Sequence, residues 1–149
     1  MAGFDAGFGR GKPPVWFWVI AVLGLLWEVM GCLSYLREVT MTPADLAKLP
    51  VAQQELWTSM PDWLFGLFAV AVWVGLLGAI MLVARKRWAR PLLLISVIAA
   101  TLQFAWIFTM MPILKTIGPS SAIFPAIIIL IGIFLVWFAG LGIRRGWLR

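Results

Sequence analysis

Four stretches of this chain are each about as long as a helix that crosses the roughly 30 Å hydrocarbon core of a bilayer. They are Val15–Leu36, Trp63–Ala84, Pro91–Met111 and Ile123–Ile143, and the only charged side chain inside any of them is Glu28. Backbone placed in lipid must satisfy its own hydrogen bonds, which leaves the α-helix as the form for a single run. The expected fold is all-α, a polytopic membrane protein with a four-transmembrane-helix bundle and a short helical outer loop. The bundle takes residues 15–149 and follows a Gly/Phe arm over residues 1–14.

Composition agrees with lipid as the solvent. Hydrophobic residues make up 63% of the chain and charged residues 12%, about half the usual charged share of roughly 25%. The net charge of +6 comes from 12 Lys and Arg against 6 Asp and Glu. These basic residues sit at helix ends and not in one long patch, which favours anionic headgroups over nucleic acid as their partner. Placing both termini in the cytoplasm puts nine basic residues inside and three, Arg37, Lys48 and Lys115, outside, as positive-inside bias requires. Arg85, Lys86, Arg87, Arg90, Arg144 and Arg145 are then the candidates for headgroup contact on the cytoplasmic face. Trp16, Trp18, Trp88 and Trp147 fall at that interface and Trp57 and Trp63 at the outer one. Arg10 and Lys12 before an apolar run resemble a signal peptide, but the run is too long and no A-x-A site follows. It reads as an uncleaved span.

The chain is poorly equipped for catalysis. It has no histidine and one cysteine, Cys32. Within this chain that excludes an intrachain disulfide, His-ligated haem or metal, and His-based acid–base chemistry. No catalytic residue, metal site or cofactor is assigned, and the expectation is that the protein is not an enzyme.

The polar segment from 37 to 62 is patterned as short helices. Thr42-Pro43-Ala44-Asp45 sets a capping hydroxyl, a proline at the first helical position and a carboxylate at the third. Pro50 ends that helix, Val51–Thr58 can form another, and Ser59-Met60-Pro61-Asp62 repeats the capping logic before the second span. Leu46, Leu49, Leu56 and Trp57 let the segment lie on the outer membrane face.

Helices in lipid associate through small residues and polar contacts, because apolar side chains gain little by leaving lipid. Ala21, Gly24, Gly31, Cys32 and Tyr35 share the face of Glu28. Gly75 and Gly78 in the second run and Gly132 and Gly140 in the fourth mark further close-packing positions. Glu28 and Gln103 are the strongly polar side chains at depth. At about 1.5 Å rise per residue, Glu28 lies about 20 Å beyond Val15 and Gln103 about 18 Å beyond Pro91. Both helices start on the same side, so a Glu28–Gln103 hydrogen bond is expected. A charge at mid-bilayer is disfavoured by about 2.5–3.5 kcal/mol, and no basic residue lies at that depth, so Glu28 is expected to be protonated or paired. An ionisable residue there is a functional-site candidate.

Leu26-Trp27, Met30-Gly31, Tyr35, Met41-Thr42-Pro43, Pro61-Asp62-Trp63 and Arg87-Trp88-Ala89 carry a resemblance. Over roughly Leu25 to Ser96 the chain resembles a group of small bacterial inner-membrane proteins of four spans, often labelled "sugar transporter". Members commonly have Asn where this chain has Glu28. The resemblance implies hydrogen bonding at that position more than a mechanism that needs a carboxylate.

Two functions stand out. One is an accessory subunit packed against a larger membrane complex or against copies of itself, with Phe4 and Phe8 of the arm as docking anchors. The other is a small oligomeric transporter of a sugar-like polar solute, with Glu28 and Gln103 near the path. Four helices alone enclose little volume, so transport would require assembly.

Overall fold

A computed structural model describes residues 12–149; the proposed anchors Phe4 and Phe8 lie outside the described residues. Four helices are long and apolar enough to cross a membrane: Val15–Val39, Asp62–Val83, Ala89–Met110 and Pro119–Arg144. The chain is a multi-pass membrane protein. The ends of these helices fall within a few residues of the apolar runs, because the breaks follow from local chemistry. Pro14 caps the first span in extended conformation. Pro61 does the same for the second. Pro119 opens the fourth with one 3-10 turn, Pro119–Ala122, before the α-helix Ile123–Arg144.

The second span is not a uniform α-helix. Asp62–Ala69 and Gly75–Val83 are α-helical, and between them Val70–Val74 forms a π turn. Three β-branched valines crowd this short stretch, where their side chains press on the preceding turn and weaken the α form.

The order of packing follows the chain. The first span lies against the second, the second against the third and the third against the fourth. Glycine sets the closest approaches. A Cβ on Gly31 would lie 3.3 Å from Val72, and one on Gly78 2.9 Å from Leu93, so the bare backbone lets neighbouring helices meet there. The first and fourth spans touch mainly through large side chains: Phe17 stacks on Phe138 with ring centroids 5.4 Å apart, and Trp27 meets Phe124 at 6.3 Å.

The core has three storeys. At the basic end Phe17, Leu82, Leu93, Phe138, Trp147 and Leu148 form an aromatic and aliphatic base. The middle is built from small residues, Ala71, Ala99 and Ala100. At the loop end Leu56, Leu64, Ile107, Met111 and Ile113 close the bundle. Leu56 belongs to the loop helix Val51–Thr58, so the loop is packed onto the bundle as a cap. Its other helix, Pro43–Leu46, carries the full capping box: the Asp45 N–H donates to Thr42 Oγ1 at 3.2 Å, and the Thr42 N–H donates back to Asp45 Oδ2 at 3.2 Å. The Thr42 hydroxyl also donates to Asp45 at 2.7 Å, and these bonds hold the Asp45 carboxyl below the usual aspartate range.

The chain beyond the fourth span folds back on the basic end. Gly146 takes the left-handed conformation, φ 74°, which reverses the chain after the helix. The Arg149 N–H then donates to Arg85 O at 2.8 Å, and the Arg87 N–H to Arg149 O at 3.0 Å. Arg85, itself left-handed at φ 60°, donates through Nε to Trp147 O at 2.8 Å. A non-glycine residue in that region is strained, and here three hydrogen bonds to the tail hold the turn between the second and third spans. Trp147 is drawn inward by the same clasp, 8% exposed against Phe17 and Trp16. It is a core residue and not an interface anchor, whereas Trp88 is 70% exposed.

Candidate functional site

Two polar side chains are buried among the described residues, Glu28 at 9% and Ser96 at 8% exposure. They come from the first and third spans and converge on the second at Gly75. A Cβ placed on Gly75 would lie 2.7 Å from Ser96 Oγ and 2.9 Å from Glu28 Cδ, with Glu28 Oε2 closer still. One methyl group would therefore collide with both side chains. Gly75 is the floor of this site, and its missing side chain is the space that the carboxyl and the hydroxyl occupy.

Gly75 follows directly on the π turn, and the turn supplies the rest of the site. The Ser96 hydroxyl donates to Ala71 O by a short hydrogen bond. The Cys32 thiol, one helical turn beyond Glu28, donates to Val72 O at 3.3 Å. The Gly75 N–H points at the same two carbonyls. Two neighbouring helices thus bond laterally to backbone oxygens of the wide turn. A π turn inside an α-helix disturbs the regular i to i−4 ladder and is frequent at functional sites. In a bilayer, such irregular backbone has to find partners in protein, since lipid offers none.

The expected bond between Glu28 and Gln103 is absent among the described residues. Gln103 lies two turns beyond Ser96 toward the loop end. Counting rise from the first apolar residue of each run places Glu28 and Gln103 level, but the helices do not begin level. The observed pairs Glu28 with Gly75, and Ser96 with Gly75, put Glu28 opposite Ser96. Tyr35 and Phe68, with rings 5.3 Å apart in an edge-on contact, mark a level nearer the loop end, closer to that of Gln103. Gln103 is half-buried there and makes no side-chain hydrogen bond among the described residues.

The other glycines also meet neighbouring spans. A Cβ on Gly24 would lie 3.0 Å from Leu135 of the fourth span. Gly132 faces Val97 of the third, where a Cβ would stand 2.5 Å from a methyl carbon. Gly140 carries the Arg90 guanidinium 3.3 Å from its Cβ position. Arg90 thus lies across the seam between the third and fourth spans at the basic end. Lys86, Arg87, Arg144 and Arg145 are exposed at the same end, while Arg85 is committed to the clasp. The one ion pair among the described residues is Lys48 with Asp45, 3.6 Å apart in the loop. Among the described residues, no carboxylate pairs with the basic end.

Two shallow grooves of about 300 Å³ lie on the bundle's sides. One, between the first and fourth spans, is lined by Ile20, Leu23, Gly24, Trp27, Ile131, Phe134 and Leu135. The other, between the third and fourth spans, includes Thr101, Phe104, Phe108 and Pro125. Neither reaches Glu28 or Ser96. No three His, Cys, Asp or Glu side chains are grouped to hold a metal ion among the described residues. Comparison with family models, curated proteins and solved structures finds no match to this chain.

Proposed function

We propose that the protein is an accessory subunit of a bacterial inner-membrane complex, with both termini cytoplasmic, and that it docks through the groove between its first and fourth spans. The observation that carries this reading is the uneven burial of the spans. In the most apolar window of each helix, 17% of the first and fourth spans is buried, against 33% and 28% of the second and third. The outer pair leans together over a wholly apolar groove with Gly24 at its base. Leu135 already covers Gly24, so it is the concave apolar shape of the groove that would let a further helix approach closely, and close packing is how helices associate in lipid. The exposed basic end suits the anionic cytoplasmic leaflet.

The second reading is a small oligomeric transporter of a sugar-like solute. What favours it is the carboxyl at mid-depth beside a π turn. Against it, Glu28 is only 9% exposed and neither groove reaches it. Purification in mild detergent at native expression separates the two. The subunit reading expects fixed stoichiometry with a different membrane protein. Recovery as a homo-oligomer that moves solute in vesicles would overturn it.

A further inference from the structure

The cluster around Gly75 contains an imbalance of hydrogen-bonding groups. Its oxygen and sulfur side chains are Glu28, Ser96 and Cys32. The hydroxyl of Ser96 has one proton, and it goes to Ala71 O. The thiol of Cys32 has one proton, and it goes to Val72 O. Both donors that could serve the Glu28 carboxyl are thereby aimed at backbone. Ser96 Oγ and Glu28 Oε2 crowd the same point above Gly75, and with its proton given to Ala71 O the Ser96 oxygen has only lone pairs left to offer, as an acceptor. Nearby backbone N–H groups belong to the helix ladders. No cation is at hand either. The second, third and fourth spans contribute no titratable side chain between their terminal turns, and the first contributes only Cys32 and, two turns from Glu28, Tyr35.

An ionised Glu28 would bring acceptors to a place already rich in them. A protonated Glu28 would bring the missing donor: turned toward Ser96 Oγ, which crowds the same point above Gly75, its carboxyl would extend the bond that Ser96 already gives to Ala71 O. We propose that this cluster is a proton-binding site inside the membrane, with Glu28 as the group that holds the proton and Ser96 as its acceptor. The site has a built-in consequence. If Glu28 loses its proton, the Ser96 hydroxyl, which shares the space above Gly75, is a donor that can turn to it. That rotation releases Ala71 O, and the π turn loses a lateral bond. Proton occupancy is thereby coupled to the shape of the second span. This holds whether or not the chain serves a larger complex.

The test uses the full-length protein in vesicles of neutral and anionic phospholipid. A lipid-soluble carbodiimide reacts with protonated carboxyls in the bilayer, and peptide mass mapping separates Glu28 from Glu38, Glu55 and the aspartates. The proposal expects Glu28 to be labelled at neutral pH, labelling to fall as pH is raised, and sodium at constant pH to have no effect. Glu28→Gln should lose the label, and its infrared spectrum should lose a protonated-carboxyl stretch that the parent shows at neutral pH. That variant keeps the shape of the side chain, and its amide can still donate to Ser96. Two results would overturn the proposal. One is a Glu28 that is unlabelled at neutral pH, without the infrared band, yet labelled after acidification. The other is protection by sodium independent of pH, which would assign the acceptors to a metal cation.

Discussion

At the scale of single residues, Gly75 decides whether the polar cluster can exist. Glycine in a helix interior is ordinarily the weaker choice, by about 1 kcal/mol relative to alanine. At Gly75 the sign reverses, because the added methyl meets the Glu28 carboxyl and Ser96 Oγ at distances real Cβ atoms do not reach. Overpacking of this kind is destabilising by about 1–3 kcal/mol. Gly66, in the same span, has nothing within 4 Å of its Cβ position. Gly75→Ala should therefore lower stability in bicelles while Gly66→Ala leaves it unchanged or raised, as measured by steric trapping. Equal effects from both would remove Gly75 from the site. Sequence made half of this cluster legible. Glu28 breaks the apolar pattern of its run and is visible at once. Ser96 is not, because a serine or threonine in a lipid-borne helix can bond its own preceding turn. Ser34 bonds Met30 O at 3.0 Å, and Thr101 bonds Val97 O at 2.7 Å. Only the packing of the third span on the second reveals that Ser96 bonds across to another helix. Gln103 stands out by its polarity, and counting rise along the chain misplaces its depth because the helices do not begin level.

At the scale of elements, the Thr42 cap was legible, while the cap expected at Ser59 is not built and the π turn gave no signal: Ser59 Oγ donates back to Leu56 O, and the second span starts from Pro61 with no side-chain cap. Thr42, Pro43 and Asp45 announce a helix start through chemistry confined to four consecutive residues, and the structure builds that box. A π turn adds one residue to a helix without altering its hydropathy, so Val70–Val74 reads as ordinary span. The same locality makes the box testable by pH. Its hydrogen bonds lower the Asp45 carboxyl in the folded chain. The stability it lends the Pro43–Leu46 turn is therefore fully present above the ordinary aspartate value of about 3.9. It is lost as pH falls through the lowered folded value. Backbone-amide exchange at Asp45, corrected for intrinsic rate, should show protection that persists at neutral pH and disappears in acid. In Thr42→Val protection should be weaker and its pH dependence reduced. Unaltered exchange in that variant would mean that the turn is held by its packing and not by its cap.

At the scale of the whole molecule, the small-residue middle of the core, the close approach at Gly78 and the clasp at the basic end tie the second and third spans into a spine. The first and fourth spans are left largely to their surroundings. Hydropathy found all four spans, but it could not distinguish spine from flank. Exposure to lipid and burial in protein select the same side chains, so the distinction appears only in the fold. Leu23, 60% exposed, lines the groove between the flanking spans, and Leu102, 54% exposed, projects from the third span outside both grooves. Both are accessible, so exposure alone predicts the same behaviour for each. Docking through the groove predicts different behaviour. A photo-crosslinking amino acid placed at each position in turn, in native membranes, tests this most directly. With a partner docked in the groove, Leu23 crosslinks to one discrete membrane protein other than this chain, while Leu102 crosslinks to lipid. Lipid adducts at both positions, or a product from Leu23 that is two copies of this chain, would contradict it.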